Sequence, residues 1–157
     1  MATRILGIDP GLQRTGWGVV DSAGSRLSFV AAGVITSNPK DDLAPRLAVL
    51  AAGLAAVIAE HGPHCAAVEE TFVNKNAASS LALGHARGVA LLVPAQHSLW
   101  VHEYAANKIK KTVTGVGHAD KKQIQAMVRI LLPTAPKGLA ADAADALAAA
   151  ICCAQHH

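Results

Sequence analysis

Five acidic side chains in this sequence stand where carboxylates are costly to keep. Asp9 closes the apolar run Ile5-Leu6-Gly7-Ile8, Glu69 closes Cys65-Ala66-Ala67-Val68 with Glu70 beside it, and Asp142 and Asp145 lie three apart in an alanine-rich stretch. An ionised carboxylate at the end of a buried run needs a paired charge or a cation. Neither Asp142 nor Asp145 has a lysine or arginine three or four positions away. Each acid alone has a plain structural reading: a turn former before Pro10-Gly11, a cap, a first-turn acid favoured by the helix dipole. As a set they read as oxygen ligands for hard divalent cations, and two-metal phosphodiester hydrolysis uses such carboxylates around ions roughly 3.5–4 Å apart. Strand alternation alone does not choose between Glu69 and Glu70.

A second chemical signal lies in the distribution of charge. The chain carries a net +3, yet between Ala105 and Lys137 there are seven basic residues (Lys108, Lys110, Lys111, Lys121, Lys122, Arg129, Lys137) against the single acid Asp120, so the rest is net negative. A solvated face is the bland explanation for such a cluster. The placement of Lys108 to Gly117 in what reads as a glycine-containing loop favours a polyanionic partner whose backbone the lysines follow.

The elements that must position these groups alternate along the chain. Arg4 to Asp9 reads as a buried strand, and Thr15 to Asp21 and Arg26 to Thr36 follow at hairpin spacing with Ser22 to Ser25 as the turn. Asp41-Asp42, as cap and dipole-favoured acids, and Pro45 in the first turn open a helix in which Leu43, Leu47, Leu50, Leu54, Val57 and Ile58 recur at helical spacing, and Gly62-Pro63 ends it. Cys65 to Glu69 reads as a strand, Asn76 to Val93 as a helix, Trp100 to Glu103 as the last strand, and Lys121 to Leu132 and Leu139 to Ala154 as helices. Three antiparallel strands followed by two parallel ones predict an α/β mixed sheet flanked by helices, whose active groups gather at the carboxyl ends of strands.

Other classes are disfavoured. At 157 residues and 52% hydrophobic the chain is expected to form a single domain over 1–157 with its own core. No apolar run approaches the roughly 18 residues of a membrane span, and the first residues turn polar early, so a cytoplasmic protein is expected. Cys65, Cys152 and Cys153 form no C-x-x-C pair and the histidines no metal-ligand spacing, so reduced thiols and no zinc site are expected. Gly115-Val116-Gly117 lacks the strand and third glycine of a dinucleotide fingerprint.

Taken in order, Ile5-Leu6-Gly7-Ile8-Asp9-Pro10-Gly11, Thr15-Gly16-Trp17-Gly18, Ala67-Val68-Glu69, Lys75-Asn76, Leu83-Gly84-His85-Ala86-Arg87-Gly88, Glu103-Tyr104-Ala105-Ala106, Lys110 with Thr112, Gly115-Val116-Gly117, Ala119-Asp120-Lys121 and Ala141-Asp142-Ala143-Ala144-Asp145-Ala146-Leu147 resemble the RuvC family of Holliday-junction resolvases almost end to end. The resemblance implies a ribonuclease-H-like fold and a nuclease that resolves four-way DNA junctions in recombination and repair, leaving 5′-phosphates. It implies that Asp9, Glu69, Asp142 and Asp145 hold two magnesium ions, with manganese as a substitute. Lys110 and Lys121 are implied to contact DNA, Phe72 to stack on bases near the crossover, and Lys75, Lys108, Lys111 and Lys122 join the DNA-facing set. A homodimer is implied, as is work beside the RuvA and RuvB branch-migration proteins. Gly84 and Gly88, one turn apart, would then sit at the subunit interface, the alternative being tight packing of their helix onto the sheet. A different ribonuclease-H-like nuclease, of the YqgF type that processes RNA, or a junction-binding module without catalysis, are the competing expectations.

Overall fold

The computed structural model describes residues 1–70 and 76–157, so the expectations for Phe72 and Lys75 fall outside the described residues. The strands are β1 (Thr3–Asp9), β2 (Arg14–Ala23), β3 (Arg26–Thr36), β4 (Cys65–Glu70) and β5 (Trp100–Ala105). They form one sheet in the order β3-β2-β1-β4-β5. The pairs β1/β2 and β2/β3 are antiparallel, while β1/β4 and β4/β5 are parallel, which is the mixed sheet expected from the sequence. The helices are α1 (Leu43–His61), α2 (Ala77–Gln96), α3 (Ala106–Thr114), α4 (Lys121–Leu131) and α5 (Ala141–His156).

The sheet is apolar on both faces, and the alternation of β1 distributes its residues between two cores. Leu6 and Ile8 join Val19, Ala66 and Val68 under Leu54, Val57 and Ile58 of α1 and Ala90 and Val93 of α2. Ile5 joins Val20, Ala67 and Tyr104 under α3, α4 and α5, through Ile109, Val113, Ile124, Val128, Leu147 and Ile151. The result is three layers, with α5 lying along the centre of the second face.

Two glycines let α5 come that close. A Cβ on Gly7 would lie 1.9 Å from the carbonyl oxygen of Ala146, and one on Gly16 would lie 2.0 Å from that of Asp142. No side chain fits between strand and helix at either point. The first turn of α5 is therefore pressed against the carboxyl end of β1 and the start of β2, and that contact fixes where its acids stand.

Three sequence expectations need correction. The lysine segment read as a loop is largely helix: Ile109 and Val113 are buried four residues apart on α3, and the left-handed Gly115 (φ 83°) closes it. Asp42 occupies the N-cap of α1 without a capping bond from its side chain. α1 itself, 19 residues with a mean hydropathy of 1.7, is long and apolar enough by length and composition to cross a membrane. Its alanines raise that figure although they do not form an unbroken run of large apolar residues. In the fold it lays Leu54, Val57 and Ile58 against the sheet and α2, with Leu50 buried as well.

Candidate active site at the carboxyl end of the sheet

Register decides between the two adjacent glutamates. Ile5 pairs with Cys65 and Gly7 with Ala67 across β1 and β4, so Asp9 and Glu69 continue the same row on the face covered by α5. Glu70 points from the opposite face. Asp142 and Asp145, in the first two turns of α5, come down onto the same place, and a cleft of about 630 Å³ is lined by Asp9, Glu69, Asp142 and Asp145 together with Arg14, Lys110 and Lys121. The four acids expected from the sequence are thus brought together; Glu70 does not line the cleft.

The electrostatics express this crowding. Asp9 is raised from 3.8 to about 9, first by desolvation and then by the charges of Glu69 and Asp145, a hydrogen bond with Glu69 and the charge of Asp142. Burial raises Glu69 as well, offset by its hydrogen bond with Asp9 and by Lys110 and Lys121. Asp145 is raised by burial and by Asp142, with Lys121 and Lys110 opposing. So many carboxylates cannot all ionise in a half-buried cleft unless more positive charge arrives. The donors are hard oxygens converging from two strands and a helix, which fits magnesium-type cations and not soft ones.

Of the lysines, Lys110 and Lys121 line this cleft. Lys108 projects elsewhere, its Nζ 5.5 Å from the centre of the Tyr104 ring. Lys111 and Lys122 are exposed on α3 and α4 outside the cleft lining. Lys121 and Lys122 open α4 behind Asp120, which accepts from the Gln123 amide while the Gln123 side chain accepts from the Asp120 amide. Sequence reasoning missed Arg14. Its Nε lies 2.9 Å from the Asp142 carboxylate, which corrects the expectation that the α5 acids lack a basic partner. A partner 128 positions away leaves no local signal. Gly84 and Gly88 are exposed on α2 with open space beyond each, so the alternative of tight packing onto the sheet does not hold within this chain.

Residues 5–153 match the family model for the crossover junction endodeoxyribonuclease RuvC. The chain belongs to the RuvC family. It is 63% identical over 154 residues to RuvC of Rhodopseudomonas palustris, covering 98% of this chain and 87% of that one. With RuvC of Brucella anthropi it shares 58% over 153 residues, 98% of this chain and 88% of the other. Among solved structures, Thermus thermophilus RuvC in complex with a Holliday junction substrate superposes with a TM-score of 0.89 at 28% identity, over 96% of this chain and 92% of that one. The sheet order and flanking helices are accordingly those of the ribonuclease-H-like RuvC fold. As a member of the RuvC family, the chain is an endodeoxyribonuclease, a hydrolase of the DNA backbone.

Proposed function

We propose that this nuclease resolves four-way DNA junctions by paired hydrolysis of two strands, with Asp9, Glu69, Asp142 and Asp145 holding two magnesium ions. The observation that carries the reading is the convergence of these carboxylates with Lys110 and Lys121 in one cleft. Dependence on a divalent cation goes with the family, and manganese, also hard enough for an all-oxygen site, would substitute. When bound, the ions supply polarisation of the phosphate and a nucleophilic water at neutral pH.

The protein's own groups do the rest. Lys110 and Lys121 already offset the charge of Glu69 and Asp145, and they would take the oxygens of an incoming phosphate. Arg14 holds the Asp142 carboxylate at the mouth of the cleft. In-line attack of water at phosphorus, with departure of the 3′-oxygen, leaves 5′-phosphates.

Paired cutting needs two such clefts, and a homodimer supplies them. On α2 the exposed Leu81 and Leu92 flank Gly84 and Gly88 along one face, a surface suited to a second copy about a two-fold axis. A junction has the same symmetry, so two sites so related meet strands of like polarity. Branch migration by RuvA and RuvB would deliver the junction, in the cytoplasm.

The test is incubation with synthetic four-way junctions, linear duplex and structured RNA, with magnesium, manganese or EDTA. Symmetric paired nicks with 5′-phosphate ends, dependent on the cation and confined to the junction, are expected. Cation-dependent cutting of RNA with junctions left intact would instead establish a YqgF-type activity, and binding without any cutting would reduce the chain to a junction-binding module.

A further inference from the structure

The opposite end of α5 carries a group of a different chemical character. Cys65 is the first residue of β4, and Cys153 is in the last turn of α5. His102 lies in the middle of β5, paired with Ala67. One ligand atom from each of the three, two sulfurs and an imidazole nitrogen, lies within 4.8 Å of the others. They lie on the same side of the sheet as the carboxylates, because Cys65, Ala67 and Glu69 share a face. Four strand steps separate Cys65 from Glu69, roughly 13 Å, and eleven helical residues separate Asp142 from Cys153, roughly 16 Å, so the group is separate from the catalytic cleft.

We propose that Cys65, His102 and Cys153 form a binding site for a thiophilic divalent cation, zinc by its chemistry. Two thiolates and an imidazole are a zinc donor set, and a tetrahedral ion needs only one more ligand. The ring of His157 stacks on that of His102 with centroids 4.0 Å apart.

Two further observations point the same way. All three cysteines are unbridged, and Cys65 is only partly buried, which leaves the group open to solvent on one side. The Tyr104 hydroxyl, on the same strand as His102, is buried without a hydrogen-bond partner among the described residues. Its polar neighbours are the sulfurs of Cys153, Cys152 and Cys65; a thiol is a weak acceptor, and a metal-bound thiolate is a stronger one for such a hydroxyl.

The ion would tie the end of α5 to β4 and β5. Its binding is independent of junction cutting, and the two readings stand or fall separately. The test is titration of cobalt(II) into the full chain, kept in a non-thiol reductant with excess magnesium to occupy the carboxylates. One equivalent should produce the intense near-ultraviolet absorption of thiolate-to-cobalt charge transfer, which carboxylate sites do not give, and zinc should abolish it. Cys65→Ser and His102→Asn touch the partly exposed ligands and should keep the fold by circular dichroism. Cys65→Ser should remove at least half of that absorption and weaken cobalt binding at least tenfold, and His102→Asn should weaken it to a similar degree. Absence of the charge-transfer band in the native chain, or a band and affinity unchanged in both folded variants, overturns the proposal.

Discussion

At the scale of single residues, Asp9 is the group whose environment changes most. Its carboxyl stands above the unfolded value of 3.8 and reaches about 9 because burial and three acids oppose its charge. The metal-free folded protein thus holds this proton more tightly than the unfolded chain does. The stabilising contribution is complete below pH 3.8 and declines as pH rises toward 9. In EDTA at pH 8, Asp9→Asn should therefore melt higher than the native chain by at least about 1 kcal/mol, on the order of 2–4 °C, and the gap should be much narrower at pH 5. A lower melting temperature for Asp9→Asn in EDTA at pH 8 would contradict the crowding argument. The same substitution should abolish cutting, as should Glu69→Gln, while Glu70→Gln stays close to native; equal loss at both glutamates would contradict the register that turns Glu70 away.

Arg14 supplies a second residue-scale expectation. Its exposed ion pair with Asp142 contributes at most about 1 kcal/mol to stability, but the guanidinium competes with a cation for that carboxylate. Arg14→Ala should lower the magnesium concentration needed for half-maximal cutting while leaving the melting temperature nearly unchanged. A higher magnesium requirement would show that Arg14 assists the ions instead of opposing them. The four site acids were legible in the sequence because each ends or interrupts an apolar stretch. Arg14 was not legible, and neither was the trio Cys65, His102 and Cys153, since both depend on contacts between strand and helix far apart in the chain.

At the scale of elements, what sequence pattern revealed depended on the length and strength of each period. The hairpin β2–β3 and the long α1 and α5 have clear apolar periods, and their boundaries agree with the sequence reading within a few residues. α3 was hidden because only Ile109 and Val113 face inward among lysines and threonines, so a short amphipathic helix resembled a basic loop. The packing of α5 makes a sharp prediction. Gly7→Ala places a methyl group 1.9 Å from the Ala146 carbonyl, and overpacking of backbone against backbone should cost about 3 kcal/mol, read from chemical denaturation. α2 offers a contrasting case: Gly88 faces open space, so Gly88→Leu should leave the chain folded while changing its oligomeric state by sedimentation. Loss of folding in this variant would mean that α2 is packed more closely within the chain than its exposure indicates.

At the scale of the whole molecule, the lysines divide into two groups that charge counting alone does not separate. Lys110 and Lys121 face the carboxylates, whereas Lys108 lies over Tyr104. If phosphates are bound at the cleft, Lys110→Ala and Lys121→Ala should each make the slope of log affinity against log salt shallower by roughly one unit for all junction sequences alike, and Lys108→Ala should leave it unchanged. Equal slopes in all three variants would locate the DNA path elsewhere.

The approach of α5 to β1 also orders events during synthesis. Asp9 leaves the ribosome well ahead of the acids that complete its cluster, which come more than 130 positions later on a helix packed across β1, β2 and β4. Non-local closure of this kind is slow compared with helix or hairpin formation. A nascent or truncated chain lacking α5 would leave Ile5, Val20 and Ala67 with only α3 and α4 as cover and Asp9 without Asp142 and Asp145. Such a chain would carry only half of the carboxylate cluster, so cutting is expected only once the last helix has docked.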